Sequence, residues 1–248
     1  MKMNEITSLN NPTVKLWTSY HLKKNRDRDH VFLVENDHLV LEAIKYGYCE
    51  AVWVKEGTTI DFLGTIYVSP EAILKKIAQV QSSVSMIGLC KIPNLPIKNH
   101  RRVFVCDDIQ DPGNLGTIIR SALAFDFDGI YVSKHSVDFT NDKVVRATQG
   151  AIFQLPIQVV DIQACLLTLS RQGVVSVGLS VNQQTMKDCP VSPNMAFVLG
   201  NEGQGIHPEV LTLCDHQLTI PIANIESLNV AITAGIIAHQ FSLLGDNI

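Results

Sequence analysis

Apolar and polar positions along the chain fall into two stretches of different rhythm, separated by the segment KIPNLPIKNHRR at 91–102. That segment holds two prolines, two asparagines and no sustained helical or strand period, so it reads as a linker with a domain boundary near residue 98. Before it, the elements are short. The pattern predicts a first helix over Val14–Lys24, a charged turn over Asn25–His30 and a strand, HVFLVE. A helix DHLVLEAIKYG ending on Gly47 and a strand EAVWVKE come next. A short strand TIYVS, a helix PEAILKKIA opened by Pro70 and a strand near Val84–Cys90 complete a small α/β domain over residues 1–97.

Over 98–248 the alternation is longer and more regular. RRVFVCDD, GIYVS, QLPIQVV, GVVSVGLS, MAFVLG and HQLTIPI read as strands, with helices between most of them. Near-continuous apolar strands in strand–helix–strand repetition predict a parallel sheet covered on both faces, hence an α/β fold. Ligands in such sheets bind beyond the carboxyl ends of the strands. The loops leaving those ends are therefore the places to look for chemistry.

Composition adds limits. Apolar residues make up 46% and charged residues 18% of 248, as expected of a globular protein with a real core. The first residues lack a signal-peptide core, and the longest strongly apolar stretch, Val230–Ala238, is about half a membrane span. A cytoplasmic protein with no membrane partner is expected. Six cysteines (Cys49, Cys90, Cys106, Cys165, Cys189, Cys214) form no C-x-x-C pair, so they read as reduced thiols and not as a disulfide frame or metal site. The net charge of −4 hides an asymmetry: residues 1–100 hold 12 Lys+Arg against 10 Asp+Glu, or +2, and residues 101–248 hold 8 against 14, or −6. A polyanionic partner must then be met by local basic patches.

Three strand-end segments carry candidate chemistry. In DDIQDPGNLGTIIR (107–120), Pro112 and Gly113 turn the chain, Asn114 sits where an N-cap belongs, and Leu115, Ile118, Ile119, Ala122 and Leu123 form a buried stripe. Arg120 falls off that stripe. Asn114 and Arg120 read either as a cap and a solvated charge or as groups aimed at an anionic or polar ligand. In FVLGNEGQG (197–205), the order G-x-x-G-x-G is not that of dinucleotide binders. The embedded Glu202 would repel phosphates, so a neutral or cationic cofactor suits this turn. In LTIPIANIESLNVAITAGIIAHQ (218–240), a strand ends at Pro221 and Ser227 starts a helix that is apolar nearly all round and therefore buried. Ser227 and Asn229 thus lie at the edge of a core.

These segments, in this order, resemble the three motifs of the SpoU (TrmH-type) family of RNA ribose methyltransferases. The match lies in Asn114 and Arg120 of DPGNLGTIIRSA, in GNEGQGI at 200–206 and in IPI…ESLNVAITAGI at 220–236; KVVRATQGAIFQLPI between the first two is also similar. The likeness covers essentially all of 101–248, and the first half, from SLNNPTVK through VFLVENDHLVLEAI, resembles the ribosomal-protein-like substrate-binding domain often fused in front.

The resemblance implies S-adenosylmethionine as cofactor, a deep trefoil knot near the C-terminus and a homodimer. It places the cofactor against backbone around Leu179, Leu199, Gly200, Asn201, Gly203, Ile220, Ile222 and Leu228. It assigns Asn114, Arg120, Glu202, Ser227 and Asn229 to the reacting end, where a methyl group passes in line to a ribose 2′-hydroxyl. Arginine side chains titrate above about 12, so the expected role of Arg120 is to hold an RNA phosphate and stabilise the developing alkoxide, with Glu202 or water taking the proton. The sequence departs from the family at Ala223-Asn224-Ile225-Glu226, where a glycine is common.

RNA contact is expected from Lys15, Lys23, Lys24, Arg26 and Arg28, and from Lys98, Arg101 and Arg102 of the linker. Ribosomal RNA is the first expectation and transfer RNA the second. Two rivals remain open: a nucleotide-binding enzyme, against which the missing G-x-G-x-x-G and P-loop patterns count, and a non-catalytic RNA-binding protein of the same fold.

Overall fold

A computed structural model of the chain describes residues 2–79, 84–185 and 191–245. The chain divides into two compact units, one of Met1–Pro93 with Thr140–Phe153 and the other of Asn94–Phe139 with Gln154–Ile248.

The first unit contains β1 (Lys2–Glu5), α1 (Pro12–Ser19), α2 (Lys23–Asp29), β2 (Val31–Glu35), α3 (Asp37–Lys45), β3 (Cys49–Lys55), β4 (Thr65–Ser69), α4 (Glu71–Ile77) and β5 (Met86–Lys91). Its sheet runs β1-β4-β3-β5-β2, parallel through β1, β4 and β3 and antiparallel where β5 meets its two neighbours. Trp17 and Trp53 anchor the core edge to face with ring centroids 5.2 Å apart, and Tyr67 stacks on Trp53 at 5.0 Å. The buried indole N–H of Trp53 is satisfied by Ser69 Oγ at 2.7 Å. The segment 140–153 completes the unit with α6 (Asp142–Thr148) and the turn Ala151–Phe153, whose Phe153 ring stacks 6.2 Å from Phe32 and 5.6 Å from Tyr48.

Two expectations fail in this unit. The single helix over 14–24 is two helices, and the charged stretch 25–30 is mostly α2 and not a turn. Arg26 is the cause. It is only 6% exposed, and its guanidinium donates to Tyr20 O (3.0 Å), His21 O (2.9 Å) and Thr140 Oγ1 (3.0 Å). The inward side of α2 is thus an arginine cross-brace, which an apolar period cannot reveal. The strand β1, paired with β4, has no counterpart among the expected elements.

The second unit contains β6 (Arg102–Cys106), α5 (Pro112–Ala124), β7 (Gly129–Ser133), β8 (Ile157–Val160), α7 (Ile162–Arg171), β9 (Val175–Thr185), β10 (Met195–Leu199), α8 (Pro208–Leu211), β11 (His216–Thr219) and α9 (Val230–Gly245). Among the described residues its strands form an all-parallel sheet, β11-β9-β10-β6-β7-β8, in agreement with the apolar strand pattern. Every residue of β6, β7 and β10 is buried, the mark of a sheet covered on both faces. Val103, Val105, Leu166, Leu169 and Val198 fill one face. Phe104, Phe127, Phe197 and Phe241 pack together elsewhere in the core, with centroids 4.4 Å apart for Phe104–Phe127 and 4.5 Å for Phe197–Phe241.

From β6 the chain moves one way to β7 and β8, then places β10 on the opposite side of β6. Cys106 and Leu199, the last residues of β6 and β10, are register partners at this switch, where parallel sheets bind ligands. The last helix begins at Val230, not at Ser227, and is not buried all round: Ile232 is 56% exposed.

Cys49, Cys90, Cys106, Cys165 and Cys214 are free thiols, and Cys189 lies outside the described residues. Among the described residues no helix is long and apolar enough to cross a membrane, and no group of three or more His, Cys, Asp or Glu could hold a metal ion.

Candidate active site

The loop after β6 is shaped by its acidic residues. Asp111, not Asn114, caps α5: its carboxylate accepts the Asn114 N–H at 2.8 Å, with Pro112 filling the first helical position. Asn114 therefore stands inside the first turn with its side-chain amide free for another task. Upstream, Asp108 adopts a φ of +60°, and the turn is tied down by Ser133 Oγ on Asp108 N (3.0 Å) and Ser136 Oγ on Ile109 N (3.0 Å).

The loop after β10 is a closed turn. Asn201 and Gly205 exchange backbone hydrogen bonds at 2.9 Å, with Gly205 at a φ of +73°. Asn201 Oδ1 accepts from Gly203 N (2.9 Å) and Gln204 N (3.1 Å), and its Nδ2 donates to Asp108 O (3.0 Å). Gly200 is required for closure. A Cβ there would lie 2.2 Å from Gly205 C and Ile206 N, inside any real contact. A second tie comes from buried Asp107, whose Oδ2 accepts from both His207 N and His207 Nδ1 at 2.9 Å. This hydrogen bond and the Asp107 charge raise the His207 pKa above its ordinary 6.5.

Glu202 projects from that turn onto the first loop. Its carboxylate accepts from Gln110 N (3.1 Å), Asp111 N (3.0 Å) and Asn114 Nδ2 (2.9 Å). Partial burial alone would push its pKa up, but these donors outweigh it and hold the carboxyl below its ordinary 4.5. Asn114 Oδ1 in turn accepts from Asn229 Nδ2 at 2.9 Å, and Asn229 Oδ1 caps α9 by accepting from Ala231 N (2.9 Å) and Ile232 N (3.2 Å). One relay, α9 to Asn229 to Asn114 to Glu202, thus joins all three strand-end segments.

Of the expected reacting-end residues, Asn114, Glu202 and Asn229 are joined directly. Arg120 lies on the exposed stripe Gly113–Thr117–Arg120–Ala124 of α5 and makes no hydrogen bond or ion pair among the described residues. Ser227 is exposed in the loop before α9 and does not start it; the cap is Asn229. In the departing loop, Asn224 adopts a φ of +67°, the left-handed conformation that glycine favours and asparagine tolerates best after it. Asp107, Asp108, Asp111 and His207 fall outside the expected set of site residues. The Asp–Pro step at 111–112 does carry a readable cap signal.

Three of the expected cofactor positions lie in or just after neighbouring strands. Leu179 lies in β9, Leu199 ends β10, and Ile220 follows β11, with β9 between the other two in the sheet. Leu199 and Gly200 are buried, Leu179, Asn201, Ile220 and Leu228 are half-buried, and Ile222 and Gly203 are exposed. No lysine or arginine occurs anywhere in 188–248. The apolar side chains and glycines at these positions suit a neutral adenosine and a positive sulfonium better than a nucleotide phosphate.

Among the cations expected to meet RNA, Arg26 is unavailable, because its guanidinium is buried and spent on the carbonyls of Tyr20 and His21. Arg102 is likewise buried, donating to Pro193 O (3.0 Å) and Phe241 O (3.3 Å). Lys23, Arg28 and Arg101 are exposed but paired with Asp27, Asp29 and the Asp126–Asp128 pair, and Lys24 is exposed.

The SpoU rRNA Methylase family matches residues 101–239, and an MRM3-like substrate binding domain matches 11–88. A Bacillus subtilis (strain 168) protein named 23S rRNA (guanosine(2553)-2'-O)-methyltransferase is 33% identical over 96% of this chain and 99% of its own length. An uncharacterised tRNA/rRNA methyltransferase of Synechocystis is 31% identical over 95% of this chain and 92% of its own. The AdoMet-bound rRNA methyltransferase structure from Sinorhizobium meliloti superposes with a TM-score of 0.86 at 26% identity, covering 98% of both chains. The chain belongs to the SpoU rRNA methylase family. It is an RNA 2′-O-ribose methyltransferase of that family, with S-adenosylmethionine as methyl donor.

Proposed function

We propose that this protein methylates a ribose 2′-hydroxyl of 23S-type ribosomal RNA, acting as a cytoplasmic homodimer whose C-terminal segment is threaded as a trefoil knot. The observation that carries the site assignment is the relay Glu202–Asn114–Asn229, which fixes three loops around one point at the sheet's switch. The ribosomal acceptor is supported by the name of the Bacillus subtilis relative, matched over nearly the whole chain, and by the substrate-binding domain match at 11–88. Transfer RNA is the second reading, favoured by the Synechocystis relative's name. The homodimer is supported by Ile232, 56% exposed on a helix without a charged residue.

When bound, S-adenosylmethionine would supply a methyl group activated by its positive sulfonium, with the neutral thioether S-adenosylhomocysteine as leaving group to the ribose oxygen. The protein's share is alignment and charge placement. Arg120, exposed and without a polar partner among the described residues, grips the phosphate beside the acceptor ribose and stabilises the oxygen as its proton leaves. Glu202 is a poor proton acceptor, since three donors already occupy its carboxylate and its pKa is lowered. It acts as a positioning residue, and the proton passes to water. The Ser227 hydroxyl, without a hydrogen bond among the described residues, and the Asn114 amide orient the ribose. Lys24, Lys23, Arg28 and Arg101 are the remaining cations for RNA.

The test is methyl transfer from labelled S-adenosylmethionine to 23S rRNA and, separately, to bulk tRNA, followed by alkaline hydrolysis. Label in alkali-resistant dinucleotides from 23S rRNA supports the reading. Label confined to tRNA selects the second reading, and label on bases rejects both.

A further inference from the structure

Away from the strand-end loops, the sheet of the first unit carries two cysteines side by side. Cys49 opens β3, Cys90 lies near the end of β5, and the two are register partners across the antiparallel pair. One step along, Lys91 N–H donates to Tyr48 O at 2.9 Å. The register shifts between Cys49 and Ala51, just past the pair, and opposed residues of antiparallel strands have Cα atoms about 4.5–5.5 Å apart. A disulfide bridges Cα separations of about 4.4–6.8 Å.

The side chains meet on one face. A Cβ placed on Gly88 would lie 3.5 Å from Cys49 Sγ and 3.5 Å from Cys90 Sγ, so the bare glycine leaves the space that both sulfurs share. Cys49 Sγ donates to Ala51 O at 3.4 Å. Cys90 is fully buried and Cys49 half-buried, so a small reagent meets Cys49 first.

We propose that Cys49 and Cys90 form an oxidisable dithiol, which a peroxide converts into a cross-strand disulfide. The Cys49 thiolate attacks one peroxide oxygen: an S–O bond forms, the O–O bond breaks, and the departing oxygen leaves as water after protonation. Cys90 sulfur then attacks Cys49 sulfur. The S–S bond forms, the S–O bond breaks, and hydroxide takes the Cys90 proton to leave as a second water. Two thiols lose two electrons and one peroxide gains them. The bond closes a loop that holds β3, β4, α4 and β5, so the modification staples the unit matched by the substrate-binding domain.

The full-length protein is reduced, exposed to hydrogen peroxide, alkylated under denaturing conditions and mapped by peptide mass spectrometry. The expected result is a peptide pair joined through Cys49 and Cys90, with both lost from the alkylated pool while Cys106, Cys165 and Cys214 stay alkylated. Peroxide also raises the thermal midpoint of the wild type and leaves that of Cys49→Ser and Cys90→Ala unchanged. Undiminished alkylation of Cys49 and Cys90 overturns the proposal. So does Cys49 joined to any other cysteine, Cys49 halted as a sulfinic acid, or a wild-type midpoint that peroxide does not raise.

Discussion

Asn229 donates its side-chain amide to Asn114 across 2.9 Å, although the two residues stand 115 positions apart in the chain. The direction of this bond is fixed from both ends. Backbone N–H groups of α9 can only donate to Asn229 Oδ1, and an ionised Glu202 can only accept from Asn114 Nδ2, so each amide has one allowed orientation. The relay therefore works as a polar clamp on the loops, and its stability depends on Glu202 being charged.

That dependence sets a pH window. The folded-state pKa of Glu202 is depressed, so its contribution is complete above about pH 4.5 and is lost as pH falls through the lower folded value. Across neutral pH, Glu202 does not titrate. The log kcat profile of the wild type between about pH 6 and 8.5 should carry no inflection that Glu202→Gln removes. Glu202→Gln should lower kcat at every pH, by about 10- to 100-fold, because its amide N–H faces a backbone donor. An inflection near neutrality that vanishes in Glu202→Gln would make this carboxylate the base.

Arg120 offers the opposite signature. It makes no polar contact among the described residues, so Arg120→Ala should leave the unfolding free energy within about 0.5 kcal/mol of wild type. Single-turnover methylation should nevertheless fall by about 100-fold or more, as expected for loss of a charge-assisted contact made in the transition state. Arg120→Lys should not restore the rate, because one ammonium cannot reproduce a bidentate phosphate grip. Full rescue by lysine rejects that role.

The two glycines of the second loop should respond differently to the same change. Gly200→Ala forces a Cβ into the Gly205–Ile206 backbone and should cost about 2 kcal/mol or more. At Gly203 the nearest atom to a new Cβ is Asn201 Oδ1 at 3.6 Å, so Gly203→Ala should stay within about 0.5–1 kcal/mol. Chemical denaturation of both variants checks the contrast; equal losses would mean that the closed turn is wrong.

His207 reports on the clasp with Asp107. Its folded pKa is raised, so the stabilisation is complete below about pH 6.5 and fades as pH rises through the folded value. An NMR titration should place the His207 midpoint above 6.5 in the wild type, and Asp107→Asn should bring it down. A wild-type midpoint at or below 6.5 contradicts the clasp.

Much of this fold is readable along the chain, for physical reasons that also mark the limits. The strands β6, β7 and β10 announce themselves because burial on both faces demands unbroken apolar runs. The chemistry-bearing loops come with them, since parallel sheets put ligands at strand ends. The helix α2 escapes a reading of apolar periods because its inward residue, Arg26, satisfies carbonyls and leaves no apolar mark. Asn114 resembles a cap because Asn and Asp share that preference, and only geometry shows Asp111 in the role. The clamp itself is invisible in sequence: Asn114 and Glu202 lie 88 residues apart, and no local period encodes that meeting. Membership of 140–153 in the first unit is equally hidden, because amphipathic spacing says that a helix will be buried and not against which core.

Ribose methylation of ribosomal RNA by this site is tested by mapping 2′-O-methyl groups across total RNA from three kinds of cell: those that carry the gene, those that lack it and those restored with Arg120→Ala. One 23S rRNA position should be methylated with the wild type, unmethylated without it and still unmethylated with Arg120→Ala. An unchanged 2′-O-methyl map in cells lacking the gene, or methylation fully restored by Arg120→Ala, would contradict that assignment.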